Sequence, residues 1–209
     1  MNKQLGNVWN KFILQDLNTY ASCAFSKQKP TVNTIENSIT IPVASDDPNC
    51  SKNFLDAVSR TVYTIHEFTF KGTFKGGNTA PSSTEEMAIF VGKNIITWDE
   101  HEFGFVFTNN DCVLKGYVQG KTDAGSFYKY TVLDKYPDGL VHTYRISVSM
   151  YDHDKIYFYI DGALKGIIHT YTNLDYYNML YHVVGTTHRN VGGWNSDGYK
   201  LVLKDIKYR

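Results

Sequence analysis

Glutamate is scarce and unevenly placed in this chain, so its carboxylates are easy to weigh. The six are Glu36, Glu67, Glu85, Glu86, Glu100 and Glu102, and none follows residue 102. Cleaving a glycosidic bond takes two carboxylates, one as acid and the other as nucleophile or base. Their separation is about 5–5.5 Å in retaining enzymes and about 6.5–9.5 Å in inverting ones. The densest group is Trp98-Asp99-Glu100-His101-Glu102. If it runs on into a strand holding Phe103, Phe105 and Phe107, then Trp98, Glu100 and Glu102 take the opposite face, an aromatic platform beside two carboxylates. Glu86 is the second candidate, to be paired with Glu100, with Glu102 or with an aspartate. The competing reading is a set of solvated carboxylates on a polar face, partnered by Arg145.

Other chemistries find no pattern. There is no G-x-S-x-G elbow, no cysteine in a nucleophile context, no P-loop and no G-x-G-x-x-G between a strand and a helix. The seven histidines show no zinc spacing, and His66 and His142 read as core residues on apolar faces. Asp152 and Asp154, two residues apart in a turn, could offer oxygen to Ca²⁺. That ion takes six to eight ligands, so a turn with two carboxylates is too few alone, and no cofactor is expected. Cys23, Cys50 and Cys112 are an odd set without metal spacing and read as buried thiols. A Cys23–Cys50 bridge would require an oxidising compartment.

Aromatic side chains can stack on sugar faces while offering a polar handle. Trp194 lies in Gly192-Gly193-Trp194-Asn195-Ser196-Asp197-Gly198, where an indole is hard to bury. Tyr177 sits among Asn173, Asp175 and Asn178. With Trp98, Glu100, Glu102, Arg145 and Asp197, these make up the candidate ligand-binding set. Against it stands the reading that loop aromatics fold back as lids over the core.

These residues must be positioned by strands. In Val141–Gly162, His142, Tyr144, Ile146, Val148 and Met150 alternate with Thr143, Arg145, Ser147 and Ser149. Ile156, Phe158 and Ile160 alternate with Tyr157, Tyr159 and Asp161 beyond an Asp152-His153-Asp154 turn. Period two of this kind marks half-buried antiparallel strands, and Asp161-Gly162 suits a turn needing positive φ. A first strand is expected over 8–14 and a strand pair over 31–43 turning near Glu36-Asn37. A long alternating run covers 61–75, and strands follow near 87–91, 95–98, 102–108, 112–119, 126–133, 163–170, 179–184 and 199–208. Residues 51–58 form the one helical candidate, with Ser51 as N-cap. Roughly a dozen short strands at regular spacing predict an all-β, two-sheet antiparallel sandwich with at most one short helix, a single domain over 1–209.

Totals exclude several classes. Twenty-one basic and 21 acidic residues cancel, against a general nucleic-acid partner. With 15% aromatic residues the chain can bury enough surface to fold. No run approaches the ~20 apolar residues of a membrane span. The start has no signal-peptide pattern, so the expected location is cytoplasmic, or extracellular or cell-surface if the chain is a trimmed piece.

HTYRISVSMYDHDKIYFYIDGALKG resembles the late hairpin of concanavalin A-like lectin/glucanase domains. The closing YKLVLKDIKYR, and AIFVG followed by WDEHEFGFVF and KGYVQG, are similar to strands of that superfamily; together they cover most of 62–208. The resemblance implies a jelly roll whose concave sheet often binds carbohydrate. Glu86-Met87-Ala88-Ile89-Phe90 looks like the Glu-x-x-Ile-aromatic strand of one glucanase branch, whose acid is a second Glu on a late strand. The 98–102 cluster weakly resembles another branch with Glu-x-Asp-x-x-Glu, without its Asp. The expectation is a non-catalytic, lectin-like module binding a glycan or polysaccharide. A glucanase-type hydrolase using paired Glu is the alternative. A protein-interaction or structural domain in a surface or particle assembly is the third, and edge strands would allow a homo-oligomer.

Overall fold

Alternating Phe and Tyr residues draw this chain into two sheets. The structure, a computed structural model, describes residues 8–14, 17–21, 30–42, 52–61, 63–74, 85–92, 101–108, 111–135, 137–170, 176, 180–190 and 200–209. The strands are β1 (Asn10–Lys11), β2 (Leu17–Ala21), β3 (Thr31–Asn33), β4 (Ser38–Pro42), β5 (Lys52–Ser59), β6 (Tyr63–Thr64), β7 (Glu67–Thr73) and β8 (Glu85–Gly92). They continue as β9 (Glu102–Thr108), β10 (Val113–Thr122), β11 (Gly125–Lys135), β12 (His142–Val148), β13 (Lys155–Ile160), β14 (Ala163–His169), β15 (Leu180–Asn190) and β16 (Lys200–Tyr208). One sheet has the order β14-β13-β12-β7-β16-β4-β3, with β1 also on β16. The other has the order β11-β10-β9-β8-β15-β5-β2, with β6 also on β15. We call them the first and second sheets. The all-β sandwich expected from the spacing is what forms.

The core lies between them. The first sheet contributes Phe68, Phe70, Tyr144, Ile146, Phe158 and Leu203; the second contributes Ile89, Phe103, Phe105, Phe107, Leu114 and Val118. Phe105 sits edge-on to three rings of the facing sheet: Phe70 at 5.7 Å, Tyr144 at 5.3 Å and Phe158 at 5.6 Å. Each such pair is worth about 0.5–1.5 kcal/mol beyond its buried area. Gly116, opposite Phe105 on β10, makes room for this packing, because a Cβ there would lie 2.7–2.9 Å from the Phe158 ring.

The helix expected over 51–58 is instead the interior strand β5. It pairs on one side with β15, through Val58↔Val184 to Lys52↔Asn190, and on the other with β2. Helix propensity is a weak prior, and hydrogen bonds on both edges override it. The expected strand over 8–14 shortens to Asn10–Lys11, and Phe12 and Leu14 enter the core. Tyr63–Thr64 and Glu67–Thr73 divide the long run over 61–75. The β3–β4 turn places Asn37 at φ 49°, as its residue type suggests. Residues 95–98, Cys23 and Cys50 lie outside the described residues, and Cys112 is buried.

The expected β12–β13 hairpin forms, with a register from Tyr144↔Ile160 to Val148↔Ile156, and Asp161 and Gly162 take φ of 49° and 79°. His142 is not a core residue. It is half-buried, with Nδ1 2.5 Å from Asp161 and Nε2 3.0 Å from Asp138. Asp161 also accepts the Thr143 N–H at 2.8 Å, so the imidazole ties both ends of the hairpin. The bond to Asp161, then that to Asp138, raise the His142 pKa above its usual value.

Two expected outcomes follow from this packing. Gly116→Ala should cost about 1–3 kcal/mol by overpacking against Phe158, read as a lower urea midpoint at unchanged slope. His142 contributes its stability in full below about pH 6.5, and that contribution fades as pH rises through its higher folded-state value. The wild-type urea midpoint should therefore fall between neutral and mildly alkaline pH, by up to about 1 kcal/mol after solvent screening. His142→Gln should flatten that slope; an unchanged slope would show that the tie carries no stability.

Candidate functional site

The face of the second sheet turned away from the core carries the sheet's candidate chemistry. On β9, Phe103, Phe105 and Phe107 enter the main core, leaving Glu102, Gly104, Val106 and Thr108 at the alternate positions. Val106 joins Val58, Ala88 and Tyr117 in a separate buried cluster, which marks this face. Glu102 is 4% exposed. Tyr117 stands opposite Gly104, diagonal to Glu102, and its hydroxyl donates to Glu102 Oε1 at 3.1 Å. Tyr176 is fully buried beside Phe103 and His101. Desolvation first, and the Glu102 charge second, push its phenol far above the usual range. Glu102 is therefore an interior carboxylate held by a tyrosine, not the solvent-facing group expected.

Register separates the carboxylates. Glu102 pairs with Gly92, whereas Glu86 pairs with Thr108 on β9 and with His188 on β15. Six residues of strand part Glu86 from Gly92, a span of about 20 Å at ~3.4 Å per residue. Both glycosidase separations are well below that. Glu86 and Glu102 thus cannot serve as a pair. Ile89 is a core residue, so the positions alternating with it after Glu86 are Ala88 and Phe90, and β8 brings no second carboxylate to its row.

Asp111 is tied to the row of Glu86. Thr108, opposite Glu86, donates its hydroxyl to Asp111 Oδ1 at 2.5 Å. Lys115 Nζ lies 2.6 Å from Asp111 Oδ2 and 3.2 Å from Thr108 Oγ1. Burial opposes ionisation of Asp111, but the bonds from Lys115 and Thr108 outweigh it and hold the carboxyl below its usual range. Nothing in the sequence pattern linked Asp111 to Glu86, because the link depends on the β8–β9 register.

Arg145 belongs to the other sheet. On β12 it lies 3.4 Å from Glu67 and stacks 3.8 Å over the Tyr159 ring. Arg209 also pairs with Glu67 and lies over Trp9. The expected grouping of Arg145 with Glu102 is thus undone by the sheet assignment. Asp152 pairs with Lys155, and the Asp154 carbonyl accepts from the Thr170 N–H and hydroxyl. Among the described residues no three His, Cys, Asp or Glu side chains gather as a metal site. Trp98, Glu100, Tyr177, Trp194 and Asp197 lie outside the described residues.

Sequence reasoning passed over Tyr128 and Tyr130, which stand half-exposed on β11 beside Tyr117. The signal was present, since both alternate with Phe127, Lys129 and Thr131.

Removing the Tyr117 hydroxyl should leave Glu102 short of a donor. Tyr117→Phe should cost about 1–3 kcal/mol in urea unfolding, and adding Glu102→Gln should recover part of that loss. Full additivity of the two would dissolve the coupling.

No protein-family model matches the chain, and no curated protein does. Solved structures match it along nearly its whole length. A β-glucanase of Bacillus licheniformis is 14% identical, with a TM-score of 0.60, covering 99% of both chains. The laminarinase catalytic domain of Thermotoga maritima is 11% identical, with a TM-score of 0.60, covering 96% of this chain and 97% of its own. A glycoside hydrolase family 16 endo-glucanase from Bacteroides ovatus is 11% identical, with a TM-score of 0.57, covering 95% and 96%. All three are glucanases or a laminarinase, which overturns the expectation of a non-catalytic, lectin-like module. The chain has the concanavalin A-like jelly-roll fold of these glucanase structures.

Proposed function

We propose that this chain is a glycoside hydrolase of glucanase type acting on a polysaccharide. The observation that carries the reading is the near full-length similarity to β-glucanase and laminarinase structures, with Glu86 on the middle strand of the second sheet. Fold alone confers no activity, so the carboxylates must bear the argument.

Glu86 is one member of the pair. The second must come from another strand or loop, and one described residue qualifies. Asp111 is bonded to the residue opposite Glu86 and is held ionised by Lys115, which suits a nucleophile or base and not an acid. Glu86 then supplies the proton to the departing glycosidic oxygen. A carboxyl separation of about 5–5.5 Å would give retention, and about 6.5–9.5 Å inversion through a bound water.

Incubation with soluble mixed-linkage β-glucan and with laminarin should release new reducing ends. Glu86→Gln should lower that rate by at least about 100-fold. Asp111→Asn should do the same. Glu102→Gln should leave the rate per folded molecule near wild type. No release from any polysaccharide would overturn the reading.

A further inference from the structure

We propose that Tyr128 and Tyr130, backed by Tyr117, form a stacking platform for a neutral polysaccharide at one edge of the face that holds Glu86. The inference deepens the hydrolase reading and rests on it for the placement of Glu86. β11 is an edge strand, and large apolar side chains exposed there are a liability unless something covers them. Tyr128 is 51% exposed and Tyr130 56%.

The rings are held in place before any ligand arrives. Tyr117 and Tyr128 stack at 5.8 Å with planes 28° apart, and Tyr128 and Tyr130 lie 5.9 Å apart. Lys115 Nζ sits 5.3 Å from the Tyr130 centroid. Rings already fixed lose little rotamer freedom on binding. On the opposite side of β11 the strand is occupied: Lys129 bonds the His169 carbonyl at 2.8 Å, and a Cβ at Gly166 would strike Thr131. The exposed side is therefore the one shared with Tyr117, Val106 and Ala88.

Stacking sets the class of ligand. The ammonium beside the platform, Lys115, is neutralised by Asp111, and Lys129 is turned to backbone carbonyls. Lys121, exposed on the same face of β10 one pair beyond Gln119 and Tyr128, is the remaining cation near the rings, and the apolar face of a neutral sugar needs only the rings. Distance sets the length. β11 and β8 are three strand spacings apart, about 14 Å. A ligand touching both the platform and Glu86 must be a chain of several sugars.

The test is affinity electrophoresis of the full chain through gels containing mixed-linkage β-glucan or polygalacturonate, with reducing ends measured in parallel. Neutral glucan should retard the wild type. Tyr128→Ala and Tyr130→Ala should each weaken retardation on the order of tenfold in apparent Kd, with thermal midpoints unchanged. Tyr130→Phe should retain it, because the ring does the binding. Equal retardation of wild type and alanine variants would overturn the platform and leave the hydrolase reading standing. Retardation that depends on the tyrosines without reducing-end release would keep the platform and remove the hydrolase. Retardation only by polygalacturonate, or by neither polymer, would overturn the proposal.

Discussion

The structure depends on one constraint at β9: every second residue is a phenylalanine facing the opposite sheet. Phe105 meets Phe70, Tyr144 and Phe158 edge to face, so the two sheets are locked at the centre by rings that admit one arrangement. A one-residue slip would turn Phe103, Phe105 and Phe107 outward and bring Glu102 into the main core. The register of β9 therefore cannot drift, and every position on the neighbouring β8 and β10 inherits it. Gly116 shows how tight the lock is, since even a methyl group at that point collides with Phe158.

That register then sorts the carboxylates. Glu102, beside the phenylalanines in sequence, is drawn inside and satisfied by Tyr117, because an unpartnered charge at 4% exposure would be very costly. Glu86 pairs with Thr108 at the far end of the same strand pair, and Thr108 bonds Asp111 and Lys115. The two glutamates that look interchangeable as letters occupy opposite ends of the β8–β9 pair.

The sheet edges are managed by different devices. β14 and β11, at matching ends of their sheets, are joined where Lys129 bonds the His169 carbonyl and Gly166 abuts Thr131. β3 is only three residues long, too short to template another strand readily. The hairpin beside β14 is tied by His142 between two aspartates, a charged clamp at the point where the apolar face of β12 runs out.

The sequence by itself determined the fold class, most of the strands and the turns at Asn37 and Asp161-Gly162, because alternation and turn chemistry are local and leave a mark in consecutive residues. It also carried the superfamily resemblance. It misassigned 51–58, since a strand held by two distant partners can carry helix-compatible letters. It grouped Arg145 with Glu102 although they belong to different sheets, and it passed over Asp111 and the Tyr128–Tyr130 stack. Those relations were decided by the tertiary structure alone. Which residues become neighbours across strands depends on the order of strands in the sheet, and that order is set by packing among residues far apart in the chain.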